Sequence, residues 1–119
     1  MTTSRDRVTL RYDADVTGSS TDIETTSAIP NGQTWKVTRL VCAHGDDGTG
    51  ISGGFQVEWG SPGNWEVLTT SYLTGSTKEM TINRDFAGDG VKKFKFIRQN
   101  LDPVNTKKMI IIAEGFKRL

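Results

Sequence analysis

The chain predicts an all-β domain, an antiparallel β-sandwich of about eight strands for which a jelly roll is the best-fitting arrangement. Three observations predict it. Apolar and polar residues alternate with period two along short runs, which marks strands with two unlike faces. Gly- and Asn-rich turns separate the runs. No stretch of helical period interrupts them. Residues 33–42 show the pattern best: Trp35, Val37, Arg39 and Val41 alternate with Thr34, Lys36, Thr38 and Leu40.

Taken in order, residues 1–5 read as a polar arm and residues 6–119 as one sandwich domain. Residues 7–12 put Val8, Leu10 and Tyr12 on one face, and 17–21 form a Gly/Ser/Thr loop. Residues 22–29 are rich in β-branched side chains and place Ile23 and Ile29 on one face. In the turn Ile29-Pro30-Asn31-Gly32, Pro30 sets φ and Asn31-Gly32 tolerates positive φ. The strand over 33–42 follows, then an irregular stretch over 44–54 with five glycines. Strands 55–59 and 65–70 flank the hairpin loop Gly60-Ser61-Pro62-Gly63-Asn64. Residues 72–76 turn, and 78–82 alternate through Met80 and Ile82. Residues 83–90 turn again around Gly88-Asp89-Gly90. Residues 91–99 set Lys93, Lys95 and Ile97 against Phe94, Phe96 and Arg98, and 100–106 loop around Pro103. In the last strand, 107–116, residues 109–113 are apolar on both faces, as in a central strand covered on both sides. The expected core is Val37, Val41, Val57, Phe94, Phe96, Ile110 and Ile112. An immunoglobulin-like sandwich is the alternative, but the paired-Cys and Trp pattern of antibody domains is missing.

Bulk properties narrow the function classes. At 119 residues the chain suits a single core. Its 15 Lys and Arg against 14 Asp and Glu lack the basic excess of a duplex-nucleic-acid binder. A lone cysteine, Cys42, rules out an intramolecular disulfide, and in a strand-like run it reads as a small buried hydrophobe. The first residues lack an apolar signal region, so a protein made in the cytoplasm is the expectation.

Four constellations could carry chemistry. In His44-Gly45-Asp46-Asp47-Gly48 a carboxylate pair sits on a flexible loop, but His suits Ca²⁺ poorly and no further acidic ligand follows at a useful spacing. Cys42 and His44 would share a strand face and could form a dyad, yet no orienting carboxylate or oxyanion-hole motif accompanies them. Trp59 and Trp65 flank the hairpin loop as possible cross-strand neighbours, either a sugar-stacking platform or core and interface packing. Lys92, Lys93, Lys95, Lys107, Lys108, Lys117 and Arg118 make the last third basic, for docking to an acidic partner or for solubility and edge protection.

Three phrases together resemble small jelly-roll virion proteins of tailed bacteriophages, the capsid decoration or cement class. They are Ile29-Pro30-Asn31-Gly32-Gln33-Thr34-Trp35-Lys36-Val37, Phe86-Ala87-Gly88-Asp89-Gly90-Val91-Lys92-Lys93-Phe94 and Ile110-Ile111-Ile112-Ala113-Glu114-Gly115-Phe116. The resemblance implies a non-enzymatic subunit without cofactor that reinforces a capsid in the virion; the isolated His44 and the incomplete Asp46–Asp47 cluster add the expectation of no metal. Its implied partners are the major capsid protein and further copies of itself, with no membrane and no direct nucleic-acid role. The expected contacts are two arms and exposed loops: Thr2, Thr3, Ser4 and Arg5; His44, Asp46 and Asp47; Trp59 and Trp65; and Phe116, Lys117, Arg118 and Leu119. Exposure of Trp59 and Trp65 separates this reading from its alternative, a carbohydrate- or receptor-binding module of a phage tail or fibre.

Overall fold

The computed structural model describes residues 6–44, 53–73 and 77–118. Eight strands fill it: β1 (Asp6–Val16), β2 (Thr21–Thr25), β3 (Thr34–His44), β4 (Gly53–Ser61), β5 (Asn64–Leu73), β6 (Thr77–Ala87), β7 (Lys93–Asn100) and β8 (Lys107–Arg118). They form two four-stranded antiparallel sheets, ordered β1-β8-β3-β6 and β2-β7-β4-β5. Successive strands cross from one sheet to the other at every step except β4 to β5, which pair as a hairpin. This is the jelly roll that the alternation predicts.

A β-bulge decides which residues of β3 face inward. Against β8, Val37 pairs with Gly115 and Arg39 with Glu114, so Thr38 is the extra residue. Opposed residues of an antiparallel pair point to the same side. The buried face therefore passes from Val37 to Leu40, Cys42 and His44, opposite Ala113, Ile111 and Met109. Val41, Ile110 and Ile112, expected in the core, lie half-buried on the outer face instead. Strict alternation carries Val37 and Val41 together, and only the inserted residue separates them. Val37, Val57, Phe94 and Phe96 are in the core as expected.

The core closes on aromatic rings. Trp59 is 4.9 Å from Phe86 and 4.8 Å from Phe94, centroid to centroid, so β4, β6 and β7 meet across the two sheets. Tyr12 of β1 packs edge-on against Phe96 of β7 at 5.1 Å. These are the offset and T-shaped geometries that ring quadrupoles favour.

Several strands depart from their expected bounds, β2 and β6 among them. β2 stops at Thr25, Ile29 is buried, and Ile23 stands 57% exposed, so the two isoleucines do not share a face. The inward positions of β2 are Asp22 and Glu24, which meet the fully buried Arg98 of β7. Arg98 also donates to the Tyr12 carbonyl at 2.8 Å and so ties β1 to β2 and β7. β6 runs on to Ala87 through Asn83, which holds φ 54°. Asn83 looked like a turn residue because Asn tolerates that region. It sits instead where β6 has one residue more than β3.

The 100–106 loop is a polar knot. Asn100 Nδ2 donates to the Val16 and Asn105 carbonyls, each at 2.8 Å. Asp102 Oδ1 accepts from the backbone N–H of Val104 and Asn105. Lys107 Nζ lies 3.9 Å from Asp102 Oδ2, and both side chains are buried.

Candidate functional site

The predicted site residues do not converge. Thr2, Thr3, Ser4, Arg5, Asp46, Asp47 and Leu119 lie outside the described residues. Phe116, Lys117 and Arg118 are not an arm: their backbone completes β8, paired with β3 throughout, and with β1 at Phe116 and Lys117. Cys42 and His44 share a face as expected, but it is the buried one. His44 packs beside Met109 and Gly53, where a Cβ on Gly53 would come within 3.2 Å of the imidazole Cδ2. Both side chains are sealed from any substrate. Among the described residues, no group of three or more His, Cys, Asp or Glu is placed to hold a metal.

Trp59 and Trp65 are not a pair. Trp59 lies opposite Glu66, and Trp65 lies opposite Gly60. The two indoles therefore take opposite faces of the sheet, and Trp59 is only 7% exposed. Lys95 Nζ sits 4.7 Å over the Trp65 ring and 3.6 Å from Glu58 Oε2, so a cation already occupies that ring. Beside the hairpin is a groove of about 220 Å³ lined by Trp59, Gly60, Asn64, Trp65, Glu66, Arg84 and Lys92. Arg84 forms a two-pronged ion pair with Glu66. The guanidinium holds the Glu66 carboxyl below the usual carboxylate range, and Glu66 in turn raises Arg84. The groove's strongest cation is thus engaged internally.

The basic residues of the last third do not form one patch. β7 and β8 belong to different sheets, so Lys95 and Lys108 face opposite sides of the molecule. Lys107 is buried against Asp102. Nearness in sequence did not become nearness in space.

Two outer faces remain. On the β1-β8-β3-β6 sheet, Val41 lies beside Ile112, and Ala43 beside Ile110. Around this apolar centre stand Arg11 with Asp13, and Arg39 with Glu79 and Glu114. Further along, Arg7 sits 5.8 Å over the Phe116 ring. An apolar centre inside a charged rim has the anatomy of a protein-docking surface.

The β2-β7-β4-β5 sheet shows a different chemistry. Its outward positions align Thr21, Gln99, Gly54 and Tyr72 in one row, and Ile23, Ile97, Gln56 and Thr70 in the next. A shallow groove of about 60 Å³ runs among Gly54, Gln56, Thr70, Tyr72, Ile97 and Gln99. Tyr72 is 65% exposed. A Cβ on Gly54 would stand 3.0 Å from Tyr72 Cε1 and 3.5 Å from Gln99 Oε1, so the phenol ring lies across bare backbone. Thr70 Oγ1 and Gln56 Oε1 are 3.1 Å apart, with the hydroxyl donating. Tyr72 falls in the stretch 72–76 that the sequence predicts as a turn, whereas its backbone belongs to β5.

No family model and no curated protein matches the chain. Solved structures do resemble it. It matches the Yersinia pseudotuberculosis-derived mitogen with a TM-score of 0.55 and 8% identity, over 91% of this chain and 85% of that one. It matches PirA with a TM-score of 0.51 and 14% identity, over 87% of this chain and 92% of that one. Identities this low bear on the fold alone.

Proposed function

We propose that this chain is a non-enzymatic virion subunit, a decoration or cement protein that binds and stabilises a tailed-bacteriophage capsid. The observation that supports it most is the outer face of the β1-β8-β3-β6 sheet. β8 is an inner strand of that sheet and carries Ile110 and Ile112 outward, among Val41 and Ala43, with no layer of the described chain over them. A charged rim around such a centre discourages indiscriminate sticking and sets the orientation of a partner. Trp59 is spent on the core and Trp65 is capped by Lys95, which favours this reading over an aromatic sugar platform at the hairpin. The fold agrees with the phrase-level resemblance to the decoration class. Modest contacts per copy suffice where each subunit touches more than one neighbour on a shell.

The test is to add the protein to undecorated capsids and heat them. Co-sedimentation and a higher rupture temperature are expected, and Ile112→Lys should abolish both. A wild-type protein that neither co-sediments nor raises the rupture temperature defeats the proposal.

A further inference from the structure

We infer that the outer face of the β2-β7-β4-β5 sheet is a binding site for neutral saccharide, centred on Tyr72 and separate from the proposed capsid-binding face. Four features carry the inference. The Tyr72 ring packs against Gly54 through Cδ1 and Cε1, and the residue is 65% exposed. A flat, electron-rich ring face suits the C–H-rich face of a pyranose. Around it stand amides and hydroxyls at fixed register positions: Gln99 across Gly54, and Gln56 with Thr70 in the next row. These groups both donate and accept, as a ring of sugar hydroxyls requires. Gln56 Oε1 accepts the Thr70 hydroxyl, which orients that amide toward donating its N–H groups.

Charge selects the ligand class. Among the described residues, no ionisable acid or base lines this groove apart from the phenol itself. The nearest outward charges on the sheet, Lys95 and Glu58, lie one row away and face each other at 3.6 Å. Among the described residues of the groove, an anionic sugar finds no cation and a cationic ligand finds no carboxylate. The groove is shallow, about 60 Å³, so it takes units of a chain lying across the strands rather than an enclosed small molecule. Ile97 and the 57% exposed Ile23 extend the apolar floor away from Tyr72.

The sheet's position adds a geometric consequence. In a two-sheet sandwich the two outer faces point in opposite directions. A subunit docked through the β1-β8-β3-β6 face turns the Tyr72 face outward, where surface glycans can reach it.

The test uses the full chain on an array of neutral, sialylated and sulfated glycans, followed by titration calorimetry with the neutral oligosaccharide retained. Binding of one or more neutral glycans is expected. Tyr72→Ala should weaken it at least tenfold, and Tyr72→Phe should keep most of it. Gly54→Ala, which tilts the ring off the sheet, should weaken it as well. Circular dichroism and thermal melts first establish that each variant is folded, and Tyr72 is exposed enough for its truncation to be tolerated. Trp65→Ala should leave binding unchanged. The inference is overturned if no neutral glycan binds, if only acidic glycans bind, or if Tyr72→Ala binds like wild type. It is also overturned if sedimentation shows a dimer that Tyr72→Ala dissolves, since a second copy would then be the occupant. Capsid binding should be unaffected by Tyr72→Ala, so the two faces are tested independently.

Discussion

Arg98 and Asp102 are both buried, yet their surroundings predict different consequences of removing each side chain. Arg98 is inaccessible, but its partners Asp22 and Glu24 are more than a third exposed. Arg98→Met leaves two carboxylates that can turn to water. Asp102→Ala removes the acceptor of the Val104 and Asn105 N–H groups and of the Asn105 side-chain amide, together with the carboxylate beside the buried Lys107. Breaking one side of a buried pair costs about 3–5 kcal/mol. Asp102→Ala should fall in that range by urea unfolding, and Arg98→Met should cost clearly less. The reverse order would show that Asp22 and Glu24 cannot rehydrate. Surface carboxylates set the acid limb. Asp13 is held low chiefly by its hydrogen bond from Arg11, Glu66 by that from Arg84, and Asp89 by the N–H groups of Lys92 and Val91. Between their folded and unfolded values the unfolded chain binds more protons, so stability rises with pH. This contribution is complete above about pH 4–5, the unfolded carboxylate range, and is lost as pH falls through the lowered folded values. Thermal melts from pH 7 to pH 2 should show it, and Asp89→Ala should flatten the slope.

At the scale of elements, the bulge at Thr38 governs both the core and the docking face. Gly115 lies opposite it, and a Cβ there would stand 1.9 Å from the Lys36 carbonyl oxygen. Gly115→Ala should destabilise by about 3 kcal/mol, the upper end of ordinary overpacking costs. Asn83 holds φ 54° in β6, so Asn83→Val should cost about 1–2 kcal/mol from backbone conformation, although the site is exposed. Urea midpoints check both, and a neutral Gly115→Ala would mean that β3 and β8 can slide apart freely. The same bulge explains how far the sequence could be read. Strand number, antiparallel sandwich and the inward Val57, Phe94 and Phe96 followed from period two, because their strands keep alternation intact. The faces of β3 and β8 did not follow. Residues 109–113 are apolar at every position, and alternation cannot choose between Ile111 and Ile112. The polar inner face of β2 was equally hidden, since Ile23 looked inward until Arg98 supplied a partner for Asp22 and Glu24. At the candidate site, Trp59 and Trp65 were visible as aromatics, but their opposite faces depend on cross-strand register. Tyr72 was legible only as a strand residue over a glycine on the neighbouring strand, a relation that no local pattern contains.

At the scale of the whole molecule, the two outer faces should respond separately to substitution. Ile112→Lys places a charge on a half-buried outer position, so it should change stability far less than truncating the neighbouring buried Ile111. Ile111→Ala should cost about 2–5 kcal/mol. Equal effects would mean that the outer face is packed like a core. The connectivity has a further consequence, for the order in which the chain can acquire structure. β1 sits at the edge of its sheet, and its neighbour there is β8, the last of the eight strands. β3 likewise has β8 on one side. Until β8 leaves the ribosome, that sheet lacks its centre and β1 has no strand in the sheet to join. The β4–β5 hairpin is the pair of consecutive strands that can zip locally, so it is the natural first event. Everything else must close long loops before contacts compensate for the lost entropy, which places refolding in the millisecond-to-second range typical of β-sandwiches. A nascent chain halted before β8 should therefore remain protease-sensitive along β1, and release of the last strand should complete both ends of the molecule in a single step.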